Sequence, residues 1–159
     1  MDIQIKNLSV SFPSPKGDAK VLRNADIILK SGKITAIVGE SGSGKSILGA
    51  AVMGLLESSV RVSGEILFGN TDLLSLSEKE LNSIRGERIG WIAQDPVTAM
   101  DPMMKVGKQM MEGVHFYQNG KETKADGIRQ LEEFGLSDAQ RVWDAYPFGL
   151  SGGMAQRVL

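Results

Sequence analysis

Gly39-Glu40-Ser41-Gly42-Ser43-Gly44-Lys45-Ser46 sets three glycines and three serines beside one lysine. The spacing is G-x-x-x-x-G-K-[ST], a pattern that wraps backbone N–H groups around phosphate. Successive amides can turn toward one anion only where the backbone takes angles that glycine adopts without strain. A helix beginning at Lys45 would point its positive end at the same phosphates. Lys45 would bring a point charge to the β- and γ-phosphates, and the Ser46 hydroxyl could ligate Mg²⁺. Such a loop needs a strand before it and a helix after it. Lys33 to Val38 (KITAIV) is short, apolar and β-branched, and reads as a strand buried on both faces. From Lys45 to about Leu56, Ile47, Leu48, Ala51, Val52 and Leu55 recur at helical spacing. That context separates a phosphate cradle from a Gly/Ser linker.

Two later segments narrow the chemistry. Leu150 to Arg157 (LSGGMAQR) places Ser151, Gly152 and Gly153 at the start of a predicted helix, a second anion-facing helix end. Two such ends, far apart in sequence, point to a nucleotide held between two copies. Gln94 directly follows Arg88 to Ala93 (RIGWIA), which reads as a strand; a polar side chain there can reach a metal or an attacking water.

The remaining elements must position these groups. Ile3 and Ile5, then Leu8, Val10 and Phe12 after a one-residue phase shift, predict a bulged strand with one buried face. Ala25, Ile27 and Leu29 share a face of a second strand, and Ser63 to Phe68 is another. Ser77 with Glu80 is a capping box opening a short helix. The charges from Glu78 to Arg88 read as a solvated helix face. Beyond them the pattern turns helical. Asp101-Pro102 predicts a helix start with Pro at its first position and with Met103, Val106 and Met110 on one face. Ile128, Leu131 and Phe134 mark a further helix closed by Gly135. Met103, Met104, Met110 and Met111 read as packing residues, and His115, the single histidine, as an ordinary helix residue.

At 159 residues the chain has a one-domain length. Its formal net charge of −1 argues against a generic nucleic-acid binder, which needs clustered excess Lys and Arg. There is no cysteine, so disulfides and thiolate metal sites are excluded. No stretch approaches the roughly 20 apolar residues that span a bilayer, so a membrane role would be peripheral.

GESGSGKS, Gln94 and LSGGM, in this order, resemble the Walker A, Q-loop and signature motifs of the ATP-binding cassette (ABC) ATPases. QDPVTAMDP and YP-x-x-LSGGM-x-QR look like the importers of peptides and nickel. The resemblance covers essentially the whole chain. It implies an α/β P-loop NTPase core with an N-terminal antiparallel β-subdomain and an inserted α-helical subdomain, incomplete at the C-terminus. The corresponding division is a nucleotide-binding core over 1–95, an α-helical subdomain over 96–149, and the signature motif with the next helix start over 150–159.

By the same resemblance Phe12 stacks on adenine, and Gly39, Glu40, Ser41, Gly42, Ser43, Gly44, Lys45 and Ser46 hold ATP. Lys45 and Gln94 serve catalysis, Ser46 and Gln94 meet Mg²⁺, and Ser151, Gly152 and Gly153 close over ATP held by a second copy. The implied partners are transmembrane permease subunits, a second ATP-binding cassette (identical or not) and, indirectly, an extracytoplasmic solute-binding protein. No nucleic acid is implied, and the implied location is the cytoplasmic face of the membrane. Phe148 and Gly149 depart from the polar or acidic residues usual before LSGG. No run of four apolar residues followed by Asp-Glu, the Walker B pattern, occurs. The chain is therefore expected to be a fragment that binds nucleotide with little hydrolysis, with an unpaired sheet edge that favours self-association. The alternative is a non-catalytic nucleotide-binding or interaction module.

Overall fold

The computed structural model describes residues 1–117 and 123–159, and the side chain of His115 lies outside the described residues. The chain divides into two compact units, Met1–Ile89 and Gly90–Leu159.

In the first unit, alternating apolar residues build an antiparallel sheet of order β2-β1-β3-β4, from β1 (Ile3–Phe12), β2 (Ala19–Leu29), β3 (Arg61–Phe68) and β4 (Thr71–Asp72). The phase shift in β1 is a bulge. Asn7 has φ 48°, and the pairing jumps from Lys6–Glu65 to Ser9–Ser63. The extra residue returns Leu8 and Val10 to the face that Ile5 occupies, and all three are buried. A Cβ at Gly64 would lie 2.6 Å from the carbonyl oxygens of Lys6 and Asn7, so the opposing strand can approach the bulge only as glycine.

The buried face packs on α1 (Lys45–Val52) through Leu48, Ala51 and Val52, with Leu73 and Leu81 closing the core. Helix α1 stops earlier than its apolar pattern suggests, because the chain turns at Gly54, whose amide donates to Ala51 O at 3.1 Å. Helix α2 (Glu78–Ile84) opens with the predicted capping box at Ser77 and Glu80. Its charges are not all solvated. Arg85, only 14% exposed in its side chain, donates to the carbonyls of Met53 (2.8 Å) and Gly54 (2.9 Å) and pairs with Glu78. The guanidinium thus satisfies carbonyls left over beyond the end of α1.

Two predicted strands do not form. Residues 33–38 pair with no strand, and Ile34 and Val38 are 101% and 89% exposed. Of 88–93, only Ile89 makes an isolated bridge, to Arg85, while Trp91 and Ile92 are exposed. Apolar, β-branched composition marks a run that a sheet would bury. A strand also needs neighbours to take its backbone hydrogen bonds, and the sheet among the described residues supplies none beside either run.

The second unit is helical: α3 (Pro96–Ala99), α4 (Val106–Tyr117), α5 (Lys124–Glu133), α6 (Ala139–Asp144) and α7 (Gly152–Val158). Val106, Leu131, Leu136, Ala139, Val142 and Trp143 form its core, with Met110, Met111 and Ile128 packed against it. Trp143 fits because Gly107 and Gly127 flank it; a Cβ at either would fall within 2.3 Å of the indole.

The helix start expected at Asp101-Pro102 lies elsewhere. Asp95 with Pro96 takes that role, accepting from the amides of Val97 and Thr98. Asp101 instead opens a turn, accepting from the Met103 amide at 2.8 Å, and Gln109 of α4 bonds the backbone of Asp101 and Met104. Asp caps helices and nucleates turns by the same local bond, so Asp-Pro alone does not say which. Met103 is consequently exposed. Helix α5 closes at Gly135 as expected, although Phe134 points to solvent.

Candidate nucleotide-binding site

The glycine-rich loop is drawn around its own lysine. Lys45 Nζ donates to the carbonyl oxygens of Gly39 (2.8 Å) and Glu40 (2.6 Å) and to Ser43 Oγ (3.3 Å). The Ser43 amide returns to Glu40 O at 3.2 Å. Gly42 and Gly44 take φ of 80° and 92°, where a side chain is strained, and these two reversals carry the backbone around the ammonium.

Gly44 caps α1 with no side-chain bond, and no acidic residue stands in the first turn. The first-turn amides of α1 therefore keep their capacity to donate, and the positive end of the helix coincides with the Lys45 charge. Ser46, one residue further, is exposed. Amides, one cation and one hydroxyl are a donor set for polyphosphate. A single hydroxyl also suits Mg²⁺, which takes few protein oxygens and completes its shell with phosphate and water.

Two residues behind the loop escape sequence reading. A Cβ on Gly44 would lie 2.7 Å from Leu22 Cδ2 and 3.3 Å from Val21 Cγ1. Strand β2 thus buttresses the turn into α1. The alternation of Ala25, Ile27 and Leu29 marks the strand, but it does not include Val21 and Leu22 and says nothing of a loop folding back over them.

Phe12 ends β1 opposite Ala19, half-buried, with its ring packed against the first core. The second unit holds the remaining predicted residues. Gln94 is exposed, between an unpaired segment and α3. Ser151 caps α7, its hydroxyl accepting from the Met154 amide at 3.3 Å. Gly152 and Gly153 are exposed with nothing within 4 Å of a built Cβ, so that helix start is open to close approach. The structure assembles Gly39 to Ser46 into one site; Gln94 and Ser151 to Gly153 belong to the other unit.

Comparison with known proteins agrees with this geometry. The ABC transporter family profile matches residues 22–159. The oligopeptide transport ATP-binding protein OppD of Escherichia coli is 39% identical over 159 residues, covering 99% of this chain and 47% of its own. The dipeptide transport ATP-binding protein DppD of Lactococcus lactis is 41% identical over 162 residues, covering 99% and 46%. The chain spans about half the length of these curated relatives. A solved dimeric ATP-binding cassette, MJ0796, bound to ADP and Pi in a post-hydrolysis state, superposes with a TM-score of 0.84 at 25% identity. That match covers 98% of this chain and 66% of the other. With its glycine loop, its N-terminal antiparallel sheet and a profile match across most of its length, the chain belongs to the ABC transporter family.

Proposed function

We propose that this chain is the nucleotide-binding part of an ATP-binding subunit that powers a peptide importer. The observation that carries the reading is Lys45 seated on the Gly39 and Glu40 carbonyls beneath the uncapped start of α1. Gly39 to Ser46 hold the phosphates of ATP, Ser46 and Gln94 meet Mg²⁺, and Phe12 lies along the base. Ser151, Gly152 and Gly153 close over ATP held by a second cassette. Phosphoryl transfer is mostly positioning and charge neutralisation, which Lys45 and the opposing signature residues share.

Peptide, rather than nickel, is the solute that the relatives' names support. The assembly includes transmembrane permease subunits, a second cassette and, through the permease, a solute-binding protein. No helix among the described residues is long and apolar enough to cross a membrane. In this reading attachment is through the permease, at its cytoplasmic face. The division into a core over 1–95, a helical subdomain over 96–149 and a signature segment over 150–159 assigns ATP contact to the first and last parts. Lacking an apolar run that ends in Asp-Glu, these 159 residues bind ATP with little turnover.

The test is ATP-dependent thermal stabilisation of the chain and of Lys45→Ala. A ligand at 100 times its Kd stabilises by about 2.7 kcal/mol, and Lys45→Ala should abolish the shift. An equal shift in both proteins would place the nucleotide elsewhere.

A further inference from the structure

The face of the sheet opposite the core carries a groove of about 420 Å³ that none of the nucleotide chemistry uses. Across it, Arg61, Ser11 and Lys20 stand in one row, since Ser11 pairs with Arg61 of β3 and with Lys20 of β2. Directly opposed residues project from the same face. The two cations therefore flank the serine across two strand spacings, roughly 10 Å. Ser9 and Ser63 form the next row.

Arg23 joins them because β2 is bulged at Val21. The pairing jumps between Ser11–Lys20 and Val10–Leu22, so Leu22 returns to the core face and Arg23 to the face of Lys20. A second bulge follows, where the pairing jumps between Val10–Leu22 and Leu8–Ala25 and Asn24 takes φ 45°. Ser9 pins the bulge, accepting from the Asn24 amide at 3.0 Å and donating to Asn24 Oδ1 at 2.9 Å. In a regular strand, neighbouring residues face opposite sides. Here Arg23 and Asn24 both border the groove.

Asp18 pairs with Arg61, whereas Lys20 and Arg23 make no ion pair with any described residue. Two positive charges are left uncompensated beside serine hydroxyls, in a concavity the size of a small-ligand site. That donor set suits a phosphate group, which takes charge-assisted bonds from Arg and Lys together with hydroxyl donors.

We propose that this groove is a second anion site, separate from the glycine loop, that binds a phosphate or diphosphate group. It stands independently of the nucleotide reading, because its residues share none with Gly39 to Ser46. The test titrates inorganic pyrophosphate into the 159-residue Lys45→Ala chain, in which the glycine loop has lost its cation. Saturable, salt-weakened binding is expected. Lys20→Gln with Arg23→Gln should weaken it about tenfold or more. Lys79→Gln with Lys108→Gln, exposed cations elsewhere, should leave it unchanged.

As a measurement without variants at the groove, pyrophosphate should slow amine acylation of Lys20 relative to Lys79. Phosphatidylcholine vesicles with and without phosphatidic acid then separate the sources of the phosphate. Vesicle binding that pyrophosphate displaces marks a lipid headgroup, and pyrophosphate binding without vesicle binding marks a soluble phosphate. Absence of saturable binding, unchanged affinity in the groove variant, equal loss in the control variant, or unaltered acylation of Lys20 would each overturn the proposal.

Discussion

Gly44→Ala isolates the link between the sheet and the glycine loop. The substitution does two separable things. It places an alanine at φ 92°, a conformation that costs an L-residue about 1–2 kcal/mol. It also drives a methyl to 2.7 Å from Leu22 Cδ2, which must retreat by about 0.7 Å to reach the 3.4 Å of ordinary contact. Overpacking of that kind costs about 1–3 kcal/mol. The expected sum is about 2–5 kcal/mol. Only the second part involves Leu22, so truncating Leu22 should relieve it.

A double-mutant cycle of the original chain, Gly44→Ala, Leu22→Ala and the pair, with urea unfolding followed by far-UV circular dichroism, measures that coupling directly. The pair should be about 1–3 kcal/mol more stable than the sum of the two single losses predicts. Costs that add to within about 0.5 kcal/mol would refute the contact, and with it the claim that β2 sets the turn into α1.

Gly127→Ala would press a methyl to 2.3 Å from Trp143 Cζ3. It should lower stability by about 1–3 kcal/mol, read as an earlier tryptophan-fluorescence transition. Arg85→Met keeps the aliphatic stem but leaves the Met53 and Gly54 carbonyls unmet; a loss of about 1–3 kcal/mol is expected in denaturant unfolding. Hydrogen bonds from the Ser77 and Thr123 hydroxyls hold the Glu80 and Asp126 carboxyls below the usual carboxylate range. Their folded pKa values are lowered, so their contribution is complete above the unfolded value and is lost as pH falls through the folded one. Glu80→Gln with Asp126→Asn should therefore flatten the acid limb of stability against pH, and an unchanged limb would mean that these boxes do not hold the charged form.

How far the sequence reached differs from element to element. The β1 bulge was visible as a break in alternation between Ile5 and Leu8, because period two is a local property of the strand. The capping box at Ser77 was legible for the same reason, since donor and acceptor lie three residues apart, and the helix start at Ser151 was expected although its capping role was not. Helix α6, by contrast, was missed. It is six residues long, too short for a clear 3.6-residue period, and is fixed by Val142 and Trp143 entering the second core.

The sequence by itself determined the glycine loop and its donor set. Three glycines, a lysine and a serine at fixed spacing before an apolar helix fix the turn and its donors, since the backbone angles and the donor set are both local. Tertiary structure decided whether apolar runs become strands, and it decided which residues hold the loop in place. KITAIV and RIGWIA have strand composition, yet among the described residues they lie unpaired, because a strand's hydrogen bonds come from another segment. Leu22 and Val21 bear on Gly44, and Arg85 on the end of α1, through contacts between segments more than twenty residues apart, which no local period records.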